Sequence, residues 1–65
     1  MHNYNEEKTV PEPLRRKIFE LLVVAQDLEM TVPESYEMIA DRFGLSERQI
    51  QQIEREGLAG NWPPL

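Results

Sequence analysis

The sequence contains no cysteine, so no disulfide can staple it. It has a single histidine, His2, and no spaced set of histidine, cysteine or carboxylate ligands that would hold a metal ion. A Ser/His/Asp arrangement and a glycine-rich phosphate loop are also missing. The composition therefore points away from an enzyme and calls for no cofactor, metal or small-molecule substrate. No apolar run approaches the roughly 18 residues needed to cross a bilayer. The opening stretch MHNYNEEKTVPEP is polar and acidic and carries no apolar signal-peptide core. There are no internal repeats and no low-complexity tracts. The expectation is a soluble, cytoplasmic protein.

Positive charge is also scarce. Seven basic residues face twelve acidic ones, for a net charge of −5. Neutralising phosphates supplies most of the non-specific affinity of DNA-binding domains. The whole-chain charge works against DNA at long range, although a local patch can oppose the global sign. At 65 residues the chain is one domain near the lower size limit for a self-sufficient core. Chains below about 70–80 residues rarely gain more than about 3–5 kcal/mol from burial alone. A second copy or another partner is expected to add stability.

What is present is helical pattern. Residues 1–12 read as a flexible lead-in, because Val10-Pro11-Glu12-Pro13 blocks an earlier helix and Pro13 suits a first helical turn. From about residue 13 to 29, Leu14, Ile18, Leu21, Leu22, Ala25 and Leu28 recur at spacings of three and four and share one face. Phe19, Val23 and Met30 lie beside that face. The segment is too long for a strand, and no second strand exists to pair with it. A break follows at Thr31-Val32-Pro33-Glu34-Ser35. Two caps compete there: Thr31 with Glu34 has capping-box spacing, and Ser35 has the better offset from Gly44.

The second helix should run to about Phe43. A third should begin at Ser46, which forms a capping box with Gln49, and stop near Gly57. The glycines and prolines of GLAGNWPPL should prevent a regular helix beyond that point. The expected fold is all-α, a three-helix bundle with a helix-turn-helix over residues 13–58 and an extended Trp-Pro-Pro tail over residues 59–65.

The stretch YEMIADRFGLSERQIQQIER carries the most information. Ala40 is small enough for a close crossing, and Gly44 can take a positive φ at the turn. Leu45, Ile50 and Ile53 would seal the third helix against Ile39 and Phe43. Geometry then leaves Ser46, Glu47, Arg48, Gln51, Gln52 and Arg55 facing outward. If this helix enters a major groove, Gln51 and Gln52 suit adenine edges, Arg48 suits guanine and Glu47 suits cytosine. Arg55 and the amides near Ser46 suit phosphates. Charge over residues 46–55 sums to zero.

The segment YEMIADRFGLSERQIQQIEREGL resembles region four of bacterial sigma factors over about residues 35–58, roughly a third of the chain. The most specific part is the register of Ile50, Gln52, Ile53 and Glu54. That family's region binds the upstream promoter element and docks on the flap of RNA polymerase. The resemblance implies that Glu47, Arg48, Gln51 and Gln52 occupy groove-facing positions. Where the family tends to carry arginine, this chain has Glu47, Gln49 and Gln51.

Three further features stand open between two readings. Arg15, Arg16 and Lys17 are candidate phosphate contacts or a solvated surface in a first helical turn, where positive charge is mildly unfavourable. The broad apolar face of the first helix, Ile18 to Ala25, suits a homodimer, a protein partner or the chain's own core. Trp62-Pro63-Pro64-Leu65 suits an extended plug for a partner's groove or a return of Trp62 onto the core. The functional expectation is a small DNA-binding protein acting in transcription as a regulator or accessory, working as a homodimer. The alternative is a protein-interaction module that kept the fold, lost the DNA and docks on transcription machinery.

Overall fold

A computed structural model of the chain describes residues 8–65. Three α-helices make up the described part, which contains no strand: α1 Glu12–Asp27, α2 Val32–Phe43 and α3 Glu47–Gly60. Most of the lead-in, together with His2 and Tyr4, lies outside the described residues. Two of its described residues are held: Gln49 Nε2 donates to the Lys8 carbonyl at 2.7 Å and Arg15 Nη1 to that of Val10 at 2.7 Å. Val10 packs against the core. No described helix is long and apolar enough to cross a membrane.

α1 starts at Glu12, with Pro13 in its first turn, where a missing N–H costs nothing. It ends two residues earlier than the hydrophobic pattern suggests. Glu29 adopts a left-handed φ of 73°, and the Met30 N–H closes back onto the Ala25 carbonyl at 3.2 Å. The buried stripe of α1 is Ile18, Phe19, Leu22 and Ala25. Phe19 therefore sits at the centre of the core rather than beside it. Leu14 and Leu28 lie towards the ends of the helix and stay exposed, Leu28 at 74 %. Periodicity marks a face, but only the crossing of α2 and α3 decides how much of its length is covered.

The competition for the α2 cap resolves to Thr31. Its hydroxyl accepts from the Glu34 N–H at 3.2 Å, and Glu34 Oε1 accepts from the Thr31 N–H at 2.9 Å. That backbone bond holds the Glu34 carboxyl below the usual carboxylate range. With Thr31 as cap, Pro33 falls in the first turn, where no donor is needed. Ser35 becomes a fully buried helical residue, donating to the Val32 carbonyl at 2.7 Å.

α3 runs past Gly57 to Gly60, three residues beyond the expected stop. Gly57 does not end the helix; it lets the helix pass over α1. A Cβ added there would lie 2.3 Å from Phe19 Cδ1. The left-handed residue that closes α3 is Asn61 (φ 52°), and the Trp62 N–H bonds the Gly57 carbonyl at 3.0 Å. Beyond it the tail does not extend. Trp62 is buried, meets Phe19 edge to face at 6.1 Å, and carries the Arg16 guanidinium over its ring at 4.6 Å. The last residues form a turn in which the Leu65 N–H bonds the Trp62 carbonyl at 3.0 Å. The core is Ile18, Phe19 and Leu22 of α1, Ile39 and Ala40 of α2, Ile50 and Ile53 of α3, and Trp62.

Candidate nucleic-acid interface

The corner between α2 and α3 sets the outward face. Gly44 stands at φ 67° and ψ 36°, a conformation that a side chain would strain. The Leu45 N–H returns to the Ala40 carbonyl at 2.9 Å. Ser46 then caps α3: its hydroxyl accepts from the Gln49 N–H at 3.0 Å, and Gln49 Oε1 accepts from the Ser46 N–H at 3.2 Å. Gln49 is itself buried. It is the residue that also grips Lys8, so the cap of α3 and the incoming chain share one amide side chain. Lys8 comes to rest over the corner, its Nζ 3.1 Å from where a Gly44 Cβ would stand.

Ile50 and Ile53 are 0 % and 3 % exposed and anchor α3 from behind. Ser46, Glu47, Arg48, Gln52 and Arg55 are exposed, and Gln51 is half-buried. These six residues thus fall on the turn side and outer side of α3. Gln52 lines a shallow pocket with Lys8, Thr9 and Gln49, on the edge nearest the incoming chain.

The acids of α3 are sorted by packing. Glu54 is turned inward, where the Tyr36 hydroxyl donates to its Oε1 and Gln26 Nε2 approaches its Oε2 at 3.5 Å. Gln26 also donates to the buried Ser35 hydroxyl at 3.1 Å, so one polar network ties all three helices. The hydrogen bond to Glu54, followed by burial, pushes the Tyr36 phenol up to about 12. Glu56 is engaged at the other edge. Arg15 grips it through Nε at 2.8 Å and Nη2 at 3.1 Å, which raises the Arg15 pKa above its ordinary value. Glu47 is left as the acid of the outer face, beside Arg48 and Arg55, which make no ion pair among the described residues. Glu47, Arg48 and Arg55 together give the outer face of α3 a formal charge of +1, with Glu54 held on its inner side.

The basic cluster of α1 is used within the chain. Arg15 joins α1 to α3 through Glu56. Arg16 pairs with Glu12 at 2.9 Å while covering Trp62, and Lys17 pairs with Glu20 at 3.3 Å. The structure does not bring these three residues together with the outer face of α3 as free cations.

Sequence reasoning missed Lys8, and it missed the inward turn of Tyr36, Glu54 and Gln26. No local pattern signals a bond between residues 18 or 28 positions apart. Among the described residues, no group of three or more metal-ligating side chains is assembled. No protein-family model, no curated protein and no solved structure matches this chain.

Proposed function

We propose that the chain is a small helix-turn-helix DNA-binding protein, a transcriptional regulator or accessory similar in its turn and outer helix to region four of sigma factors. One observation carries the reading. Folding turns Glu54 inward and pairs Glu56 with Arg15, which leaves Arg48, Gln52 and Arg55 on a capped helix that stands out from a glycine corner. Arg48 and Gln52, with Gln51 beside them, read base edges. Arg55, the N-terminal amides of α3 and Lys8 hold phosphates.

So few cations imply weak and shallow salt dependence. With two or three phosphates neutralised, log K should fall with log salt at a slope of about −2 to −3. The test is a titration of random and selected duplexes by fluorescence anisotropy. Changing Gln51→Ala with Gln52→Ala should abolish preference among sequences while thermal melting stays unchanged. Arg55→Gln should weaken binding to every sequence alike and reduce the slope by about one. If all duplexes bind equally weakly before and after the glutamine changes, the reading fails.

A second reading, a protein-interaction module on the same fold, is favoured by a separate observation: a groove between α1 and α2, lined by no residue of α3, is apolar and edged with acid. The two readings use different surfaces, and amide shifts on titration would separate them.

A further inference from the structure

The face formed by α1 and α2 has an unusual build. Leu21, Val24 and Leu28 on one side and Met30, Met38 and Ile39 on the other line a groove of about 280 Å³ with almost no polar surface. None of its lining residues comes from α3. Leu28, Val24 and Met38 are among the most exposed large hydrophobic residues of the chain. Methionines at two of these positions give a surface that can adapt to different apolar side chains.

Along the α2 edge runs a second depression lined by Met30, Glu34, Glu37, Met38 and Asp41, sharing both methionines with the groove. Glu34, Glu37 and Asp41 are spaced by three and four, so they form one acidic stripe about 10 Å long on the helix surface. Over residues 27–42 the chain carries five acids and one base, a net −4 of its total −5. The base, Arg42, lines the groove itself. Three of these acids, Glu34, Glu37 and Asp41, therefore lie beside the apolar groove, through the methionines that both depressions share.

We infer that the groove between α1 and α2 receives an amphipathic helix of a partner protein, with bulky aliphatic side chains facing the groove and lysine or arginine along the edge facing Glu34, Glu37 and Asp41. Helices dock into apolar grooves through anchors at spacings of three and four, and complementary charge steers and selects the partner. The same charge argues against two other occupants. A second copy would bring two acidic stripes within about one Debye length, roughly 10 Å at moderate salt, and they would repel. Residues 1–7 include Glu6 and Glu7 and no lysine or arginine, so they lack the matching charge. The inference rests on the protein-interaction reading and is independent of DNA recognition.

The experiment uses the full chain and two labelled amphipathic peptides of about 14 residues, long enough for nearly four helical turns. One has leucine on one face and lysine on the other; its match has glutamate at every lysine position. Binding is followed by anisotropy, and its location by amide NMR. The lysine peptide should bind, with shifts at Val24, Leu28, Met30, Met38 and Arg42, and the glutamate peptide should not. Leu28→Ser with Met38→Ser, both exposed and so compatible with folding, should weaken binding about tenfold or more. Glu37→Gln with Asp41→Asn should weaken it about threefold or more at low salt and flatten its salt dependence.

The proposal is overturned by no binding of the lysine peptide, by equal binding of the glutamate peptide, by unchanged affinity in Leu28→Ser with Met38→Ser, or by a wild-type dimer in sedimentation, which this variant dissociates. The last assigns the groove to a second copy. Binding with shifts confined to another surface removes the groove but leaves the protein-interaction reading standing.

Discussion

Replacing Gly57 by alanine separates local from tertiary reasoning, because the two give opposite signs. Gly57 lies inside α3, and on helix propensity alone Gly→Ala there should stabilise by about 1 kcal/mol. In the folded chain the new methyl would sit 2.3 Å from Phe19 Cδ1 and 2.5 Å from both Cγ and Cε1. Carbon atoms pack at about 3.5–4.0 Å, so the shortfall exceeds about 1 Å against the body of a ring, not its flexible end. The ring has little room to retreat, since Phe19 is 1 % exposed and Trp62 meets it edge to face. Overpacking of this kind costs about 1–3 kcal/mol, and the size of the overlap argues for the upper end.

The net effect should be about 2 kcal/mol of destabilisation. In a domain of this size that is a fall in Tm of roughly 8–16 °C, against a rise of roughly 4–8 °C on propensity alone. Circular dichroism melts and urea titrations would measure it, with Ala59→Gly on the exposed face of α3 calibrating the propensity scale. Pairing Gly57→Ala with Phe19→Leu should recover part of the loss, giving a favourable coupling energy in the double-mutant cycle. A Gly57→Ala protein as stable as the original, or more so, would refute the close passage of α3 over α1. The orientation of the outer face would then be open as well.

Two further outcomes follow from single residues. Tyr36→Phe removes the donor from the half-buried Glu54 and should cost about 1–3 kcal/mol. Because the folded phenol titrates at about 12 and the unfolded one at about 10, this stabilisation is complete below pH 10 and is lost as pH rises from 10 to 12. The difference in Tm between wild type and Tyr36→Phe should therefore shrink across that window, and a constant difference would count against the shift. Glu29→Gly should stabilise by about 1 kcal/mol, since Glu29 holds a left-handed φ of 73° that glycine adopts freely; an unchanged urea midpoint would argue that Glu29 does not hold this conformation.

Much of the architecture was legible because it is written at short range. The capping box of Ser46 with Gln49 is decided within one helical turn, and so is the left-handed corner at Gly44, whereas at α2 two caps compete in the sequence and the fold, which buries Ser35, leaves Thr31 with Glu34 as the cap. The inward spacing of Ile50 and Ile53 follows from helical periodicity, and with it the set of outward positions on α3. The same local logic failed at Gly57, where composition suggests a stop and the structure shows a crossing point. It also placed Phe19 at the margin of the core, because periodicity cannot weigh which part of a broad apolar face a neighbour will cover.

From its own order of residues the chain determined three helices, the cap of α3 and the glycine corner, since each depends on groups a few bonds or one turn apart. Tertiary structure alone decided which charges find partners within the chain. Tyr36 and Gln26 draw Glu54 inward, Arg15 takes Glu56 from 41 residues away, and Trp62 returns to α1 beneath Arg16. It also left an acid-edged groove open between α1 and α2. Electrostatic and packing energies depend on separation in space, and a count along the chain records only separation in sequence.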